Sequence, residues 1–303
     1  MSRRLYLFNL VARSLIKPLL RHQKDVAKAR RGFLRMTRIL TRPPAHAVVL
    51  ADAVVRGEWV WVGKARRRGI ILYFHGGGYI MGSPQTHRAM VARLSRLSGL
   101  RAFVPDYRLS PEHPFPAALE DARAAWDRLI GLGYRRDEIV IGGDSAGGGL
   151  AFALLAQLCQ AGQPPKALFA FSPWTDLTLS GESMTANAES DVLFPAHRAA
   201  ELRDMILPVK RASDPAASPL FAKFPSCPPV FMQCSQSEIL RDDTLRMAKR
   251  LQGYGAEVTV QMLPERPHVW QLFDRLLPEA GQALRETGAF IAGVLPAPRS
   301  NDS

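Results

Sequence analysis

The chain has 303 residues, of which 47% are hydrophobic, so its composition argues against disorder and fits one large α/β domain or two small ones. The formal net charge is +13, but residues 1–42 hold twelve Lys or Arg against one acid, Asp25, and therefore carry +11 of it. The remaining residues are close to neutral at about +2, which argues against nucleic-acid binding by the folded body.

The first unit along the chain is the N-terminal segment, residues 1–42, which ends at the pair Pro43 and Pro44. The spacing of its apolar residues predicts an amphipathic helix over residues 5–16, followed by a basic stretch. Arg13 and Lys17 interrupt the apolar stretch, so we expect neither a signal peptide nor a spanning helix. Such a segment suits contact with an anionic membrane surface, and the alternative is a lid over a binding pocket.

Short apolar runs alternate with helical stretches after residue 46. The runs at residues 47–50 and 58–62 are predicted to form an antiparallel pair. The later runs are continuous apolar strands, which are typical of a parallel sheet that is covered by helices on both faces. We predict these later strands at residues 69–74, 101–105, 137–142, 167–171, 229–234 and 257–263.

A long interruption separates two of these strands, because about 45 residues between Asp176 and Leu220 contain no convincing strand. A plain loop of that length is rare in an ordered domain. We therefore predict a helical insertion at about residues 178–215, placed over the functional site. The chain is then divided into the N-terminal segment and a catalytic domain, residues 43–303, that carries the insertion.

The sequence Gly-Asp-Ser-Ala-Gly at residues 143–147 follows a predicted strand and precedes a predicted helix at residues 149–155. This G-x-S-x-G pattern places a serine on a sharp strand-to-helix turn, where its hydroxyl is exposed as a nucleophile. A serine nucleophile needs a base, which follows it in the chain in this arrangement. Only His197 and His268 follow Ser145; His197 falls in the strandless segment, so His268 is the predicted base.

The carboxylate that orients the base is expected on the loop after the strand that ends near Cys234. Glu238, Asp242 and Asp243 all qualify by position. Glu238 is favoured because it lies closest to the strand end, and Asp242 is the main alternative. Asp242 and Asp243 begin a predicted helix, where acids commonly cap the free N–H groups, and we favour that role for both.

Backbone N–H groups must stabilise the oxyanion, and Ala146, directly after the nucleophile, is predicted to supply one of them. The sequence His-Gly-Gly-Gly at residues 75–78 follows the first central strand and is predicted to supply the rest. A phosphate cradle is the alternative, but no Lys-Ser/Thr ending follows. His75 precedes Ser145 in the chain, so we predict a supporting hydrogen-bond role for it rather than that of the base.

These segments together resemble the hormone-sensitive-lipase-like carboxylesterases, also called the GDXG family, within the α/β-hydrolases. The resemblance covers roughly residues 70–290 and implies an α/β-hydrolase fold with a helical cap from the N-terminal segment and the insertion. It also implies oxyanion donors at Gly77, Gly78 and Ala146, an acid at the start of the pattern at residues 238–242, and support from Gly76 and Asp144. The matching segments are residues 75–79, 106–118, 143–148, 172–177 and 268–271.

We therefore predict a carboxylic ester hydrolase that acts on short- to medium-chain esters through Ser145, His268 and Glu238 and an acyl-enzyme, with neither a metal nor an organic cofactor. One alternative is hydrolysis of an amide or a larger acylated molecule. The other is a catalytically silent, receptor-like binding protein, against which the intact triad argues. The odd number and irregular spacing of Cys159, Cys227 and Cys234 argue against a disulfide framework and indicate a reducing compartment, so we expect a cytoplasmic protein. The sequence leaves open whether the protein is a monomer or a homodimer.

Overall fold

The computed structural model describes residues 1–65 and 68–295. Its central feature is a sheet of eight strands, each of which matches a run predicted from the sequence. The strands are Ala47–Ala51 (β1), Gly57–Val62 (β2), Ile70–Phe74 (β3), Arg101–Pro105 (β4), Ile139–Asp144 (β5), Ala167–Phe171 (β6), Val230–Ser235 (β7) and Val258–Leu263 (β8). They lie in the order β1-β2-β4-β3-β5-β6-β7-β8. Strand β2 pairs antiparallel with β1 and β4, and every other pairing is parallel.

Helices cover both faces of this sheet, which confirms the predicted α/β architecture. The α-helices are Arg3–Val11 (α1), Lys17–His22 (α2), Val26–Leu40 (α3), Pro84–Ser98 (α4), Ala117–Gly131 (α5), Ala146–Gln160 (α6), Ser183–Ala186 (α7), Arg198–Ile206 (α8), Arg241–Gln252 (α9) and Pro278–Val294 (α10). A π turn at Ala12–Ile16 joins α1 to α2, so the predicted N-terminal helix continues to residue 22. Among residues 1–65 and 68–295, no helix has the length and apolar character needed to cross a membrane.

The core consists of two layers, because side chains alternate between the two faces of each strand. In β3, Ile70 and Leu72 pack in the layer that contains α5 and α6, whereas Ile71 and Tyr73 pack in the layer of α4 and α10. All residues of β3 are fully buried, which explains why its sequence is a continuous apolar run rather than an alternating one.

Two details differ from the sequence prediction. Strand β5 begins at Ile139 rather than residue 137, because Arg136–Glu138 form a 3-10 turn. It also extends to Asp144, so that the strand reaches the predicted nucleophile directly. Within residues 178–215 the structure contains α7, α8 and a 3-10 turn, and no strand.

Candidate active site

Ser145 lies at the turn between β5 and α6, where the carboxyl ends of the central parallel strands meet. Its backbone has φ 53° and ψ −124°, a conformation that costs about 1–3 kcal/mol in a non-glycine residue. Neighbouring backbone holds the turn: the Ser145 N–H donates to the Phe171 carbonyl at 2.8 Å, and the Ser145 carbonyl accepts from the Trp174 N–H at 2.9 Å. A Cβ at Gly147 would collide with the carbonyl oxygen of His75, so the second glycine of the pattern is required by close packing.

The predicted base and acid are in direct contact. Nδ1 of His268 lies 2.6 Å from Oε2 of Glu238, and both side chains are buried. The other carboxylate oxygen of Glu238 accepts the Ser235 N–H at 2.8 Å, which fixes the orientation of the carboxylate at the end of β7. Nε2 of His268 is buried and has no hydrogen-bond partner among the described residues, and His268 lines the same cavity as Ser145. The structure therefore brings the predicted serine, histidine and acid to one site.

The electrostatics around His268 favour its protonated form. Burial lowers the pKa of the imidazole, but the hydrogen bond and charge of Glu238, with the charges of Asp191 and Asp144, outweigh burial and raise the pKa above 6.5. An imidazolium that forms during a reaction would be stabilised by the same groups. This is the property that a general base next to a serine requires.

The glycine loop after β3 lies beside the serine. Gly77 has a φ of 125°, a backbone conformation that residues other than glycine rarely adopt. A Cβ at this position would also collide with the Met81 carbonyl. The N–H groups of Gly77, Gly78 and Ala146 have no acceptor among residues 1–65 and 68–295. Gly76 and Gly77 line the cavity that contains Ser145. No hydrogen bond within the described residues therefore has to be broken for these N–H groups to bind an oxyanion, and that role stays a prediction.

Asp144 supports this loop through its buried carboxylate. Oδ1 accepts the Tyr73 hydroxyl at 2.6 Å and the Gly76 N–H at 3.0 Å, and Nε2 of His87 lies 3.3 Å from Oδ2. Burial raises the pKa of Asp144, but the interactions with His87 and Tyr73 outweigh it and place the pKa below its usual value. The sequence assigned a supporting role to Asp144 and Gly76, but it gave no indication of Tyr73 or His87.

His75 packs against Tyr107 and does not line the cavity that contains Ser145. It is fully buried, its ring stacks on Tyr107 with centroids 4.2 Å apart, and its carbonyl accepts the Tyr107 hydroxyl at 2.6 Å. Burial, with a smaller effect of His87, lowers the pKa of His75 to about 3, so the imidazole is neutral. The other candidate histidine, His197, is exposed at the start of α8 and makes no contribution to the cavity.

The capping role predicted for Asp242 and Asp243 is wrong, although both lie in the first turn of α9. The helix has no side-chain cap, because both carboxylates bind other segments instead. Asp242 accepts the Ser183 N–H at 2.8 Å, and Asp243 accepts the N–H groups of Thr175 and Asp176 at 2.7 and 2.8 Å. These acids anchor the start of the insertion, and within residues 1–65 and 68–295 the carboxylate that binds His268 is that of Glu238.

Asp243→Asn is expected to flatten the pH dependence of stability. Burial, with the charge of Asp176, raises the pKa of Asp243 to about 8, whereas the unfolded value is 3.8. The protonated carboxyl therefore contributes stability that is fully present below pH 3.8 and is lost as the pH rises towards 8. Urea unfolding at about pH 5 and about pH 8 measures this loss, which should be smaller in the variant than in the wild type. An unchanged difference between the two pH values would contradict the prediction.

An apolar cavity of about 360 Å³ extends from Ser145 and His268 to the surface. The N-terminal segment, the insertion and the loop after His268 form its walls. The apolar lining residues are Ile16, Leu19, Leu20, Ala29, Phe33, Met36, Leu40, Met81, Leu193, Phe194, Val269, Leu272 and Phe273. The ring of Phe194 also packs edge-on against His268, with centroids 4.8 Å apart. The sequence did not identify these lining residues.

Cationic side chains fasten the N-terminal segment to the insertion. Nζ of Lys17 is buried and donates to the carbonyl groups of Ala188 and Asp191 at 2.8 and 2.7 Å. In the opposite direction, the Arg198 guanidinium donates to three carbonyl groups at the end of α2, including that of Gln23 at 2.9 Å. Part of the positive charge of the N-terminal segment is therefore structural.

Comparison with known proteins gives a consistent set of relatives. A family model described as the alpha/beta hydrolase fold matches residues 71–272. The chain is 36% identical to an acetyl-hydrolase of Streptomyces hygroscopicus over 251 residues, which are 82% of this chain and 83% of the relative. It is 34% identical to an esterase of Acinetobacter venetianus over 246 residues, 80% of each chain. The crystal structure of an esterase from the bacterial hormone-sensitive lipase family has a TM-score of 0.91 and 35% identity, covering 98% of this chain and 99% of the other.

Proposed function

Because the chain belongs to the α/β-hydrolase family, among its hormone-sensitive-lipase-like carboxylesterases, we propose that Ser145, His268 and Glu238 form the catalytic triad of this ester hydrolase. The observation that carries the proposal is the buried pair of Glu238 and His268, 2.6 Å apart, whose histidine lines the same cavity as the strained serine turn. A buried carboxylate on Nδ1 directs the free Nε2 of the imidazole to accept a proton.

The reaction proceeds through two displacements. The Ser145 hydroxyl attacks the ester carbonyl carbon, and its proton passes to Nε2 of His268. The N–H groups of Gly77, Gly78 and Ala146 stabilise the oxyanion, an effect of about 3 kcal/mol for each donor. The tetrahedral species then expels the alcohol, which takes the proton from His268, and leaves the acyl group on Ser145. Water attacks this acyl-enzyme in the same way, and the carboxylic acid and the free serine are regenerated.

The substrates proposed are short- to medium-chain acyl esters. A cavity of about 360 Å³ is near the lower end of small-molecule sites, which occupy about 300–1,000 Å³. Its walls are apolar and match an acyl chain in chemistry. The similarity to an acetyl-hydrolase supports the same size range.

Labelling with a fluorophosphonate tests this assignment against the receptor-like alternative. The probe forms a covalent bond only with an activated serine, so we expect modification of Ser145 in the peptide that contains residues 143–147. A protein that binds esters without catalysis would stay unlabelled, and that result would overturn the proposal. The remaining alternative is hydrolysis of an amide, and comparing the turnover of an ester with that of its matched amide tests it. The proposal requires that the ester react faster.

The preference for acyl length should respond to the cavity wall. We expect p-nitrophenyl butyrate and hexanoate to exceed p-nitrophenyl palmitate in kcat/KM by more than about tenfold, because the cavity cannot hold the longer chain. Met36→Trp narrows the cavity and should shift the preference towards acetate. Ile39→Trp is the matched control, since Ile39 is exposed on the same helix and does not line the cavity. Equal shifts in the two variants would contradict the prediction.

A further inference from the structure

The exposed large apolar side chains of this protein are concentrated in the N-terminal segment. A protein surface normally carries such side chains singly, so a cluster of them marks an interaction surface. Eight of them lie within the first 39 residues: Met1, Tyr6, Leu7, Leu10, Val11, Leu15, Leu19 and Ile39.

The first helical stretch, from α1 to α2, is apolar on two opposite faces. Its inner face is buried against the protein through Leu5 and Ala12. On its outer face, Leu7, Val11 and Leu15 recur every four residues and are about half exposed or more. Residues spaced four apart lie slightly more than one turn apart in an ideal α-helix of 3.6 residues per turn, so their positions rotate gradually around the helix axis. The π turn at Ala12–Ile16 holds one more residue than an α-helical turn and offsets this rotation. The outer row is therefore one continuous apolar stripe.

This stripe leads to the mouth of the active-site cavity. Most residues that line the cavity are buried or half-buried, but Leu19 of α2 and Lys28 and Gly32 of α3 are exposed. The cavity consequently opens between α2 and α3, and Leu19 lies one turn beyond Leu15 on the stripe. An apolar molecule that leaves the stripe would meet the mouth directly.

Unpaired positive charge accompanies the stripe. Arg3 and Arg4 precede it, and Arg21 and Lys24 follow it; all four are exposed, and their side chains have no partner among residues 1–65 and 68–295. The one acid of the segment, Asp25, is engaged with Lys28 and with the N-terminus of α3, and the Glu279 carboxylate beside Arg3 accepts hydrogen bonds from Ser2. An apolar stripe between clusters of cations complements a surface that is apolar beneath and anionic outside.

We propose that the outer face of the N-terminal segment docks onto an anionic lipid surface with the cavity mouth directed towards the lipid. Ile16 and Leu20, which are half-buried, wall the cavity at the same time, and Leu19 lies where the stripe meets the cavity mouth. The lid role and the membrane role therefore belong to different sides of one helix that meet at the mouth. Docking depends only on the stripe and the cations. The delivery of esters from the lipid to Ser145 rests on the proposed function in addition.

Sedimentation with vesicles tests docking without any use of activity. We expect the full chain to sediment with phosphatidylcholine vesicles that contain phosphatidylglycerol, more weakly at high salt, and hardly at all with phosphatidylcholine alone. The combined variant Arg3→Gln, Arg4→Gln, Arg21→Gln and Lys24→Gln should lower partitioning by more than about tenfold, since each cation near such a surface contributes about fivefold. Ser145→Ala should bind like the wild type, which separates docking from the proposed chemistry.

The apolar contribution is tested with Leu7→Ser, Val11→Ser and Leu15→Ser combined, none of which lines the cavity. We expect loss of vesicle binding with unchanged kcat/KM on a dissolved short ester, and slower hydrolysis of an ester held in the vesicles. Ile130→Ser with Leu132→Ser is the matched control, because these exposed side chains lie at the C-terminal end of α5 and do not line the cavity. Wild-type vesicle binding in the stripe variant, or a wild-type dimer that the stripe variant dissociates, would overturn the proposal.

Discussion

Ser145→Ala is expected to lower kcat for a short p-nitrophenyl ester by about 10,000-fold or more, with the protein still folded. The hydroxyl is the only group at the turn that can form the acyl-enzyme, so the variant retains binding and the oxyanion donors but no nucleophile. Its Oγ makes no hydrogen bond within the described residues, and its loss therefore leaves no buried partner unsatisfied. Thermal unfolding should take place close to the wild-type temperature.

The matched control for this variant is Ser98→Ala. Ser98 is also buried, and its hydroxyl donates to the Leu94 carbonyl at 2.7 Å in α4; it does not line the cavity. This change should cost about 1 kcal/mol of stability and leave kcat unchanged. Steady-state kinetics and thermal unfolding of both variants separate a chemical loss from a structural one. Full activity of Ser145→Ala would sink the assignment of the nucleophile.

The sheet was predictable because the sequence of each strand indicates it without information from the rest of the chain. A strand such as β3, buried on both faces, must be apolar at every position, and that pattern is visible without any tertiary information. Chain order then selected His268, since a base must follow the serine in this arrangement. Glu238 was favoured for a similar reason, as it lies just after β7, and the structure places it on Nδ1 of His268.

The residues that bind Asp144 from other elements were not predictable, because each acts across a long separation in the chain. Tyr73 and His87 bind Asp144 from positions 71 and 57 residues away, and no local pattern marks either of them. Asp243 illustrates the same difficulty in another form. Its place in the first turn of α9 suggested a cap, but its partners are Thr175 and Asp176, 68 and 67 residues earlier. Packing between elements decided the role, whereas sequence position did not.

Glu238→Gln is the second change with a large expected effect, a loss in kcat of about 1,000- to 10,000-fold. The amide has nearly the shape of the carboxylate and can still accept the Ser235 N–H. Its NH₂ group would donate to Nδ1 of His268, however, and the ring proton would then reside on Nε2. An imidazole in that tautomer cannot accept the proton of Ser145. The loss of the negative charge also removes the stabilisation of the imidazolium.

The pH profile distinguishes this role from a merely structural one. Activity requires a neutral imidazole, and Glu238 raises the pKa of His268 above 6.5. In the wild type the acid limb of the kcat/KM profile should therefore lie above pH 6.5. In Glu238→Gln that pKa falls, because burial remains while the hydrogen bond and the charge are gone, and the acid limb should move to lower pH. Asp242→Asn is the matched control, because the Asp242 carboxylate accepts the Ser183 N–H and does not bind His268. In this variant the acid limb of kcat/KM should stay at the wild-type pH, and kcat should fall by less than about tenfold. If the acid limb moved in Asp242→Asn and not in Glu238→Gln, Asp242 would be the triad acid, and the contact at 2.6 Å between Glu238 and His268 would be structural only.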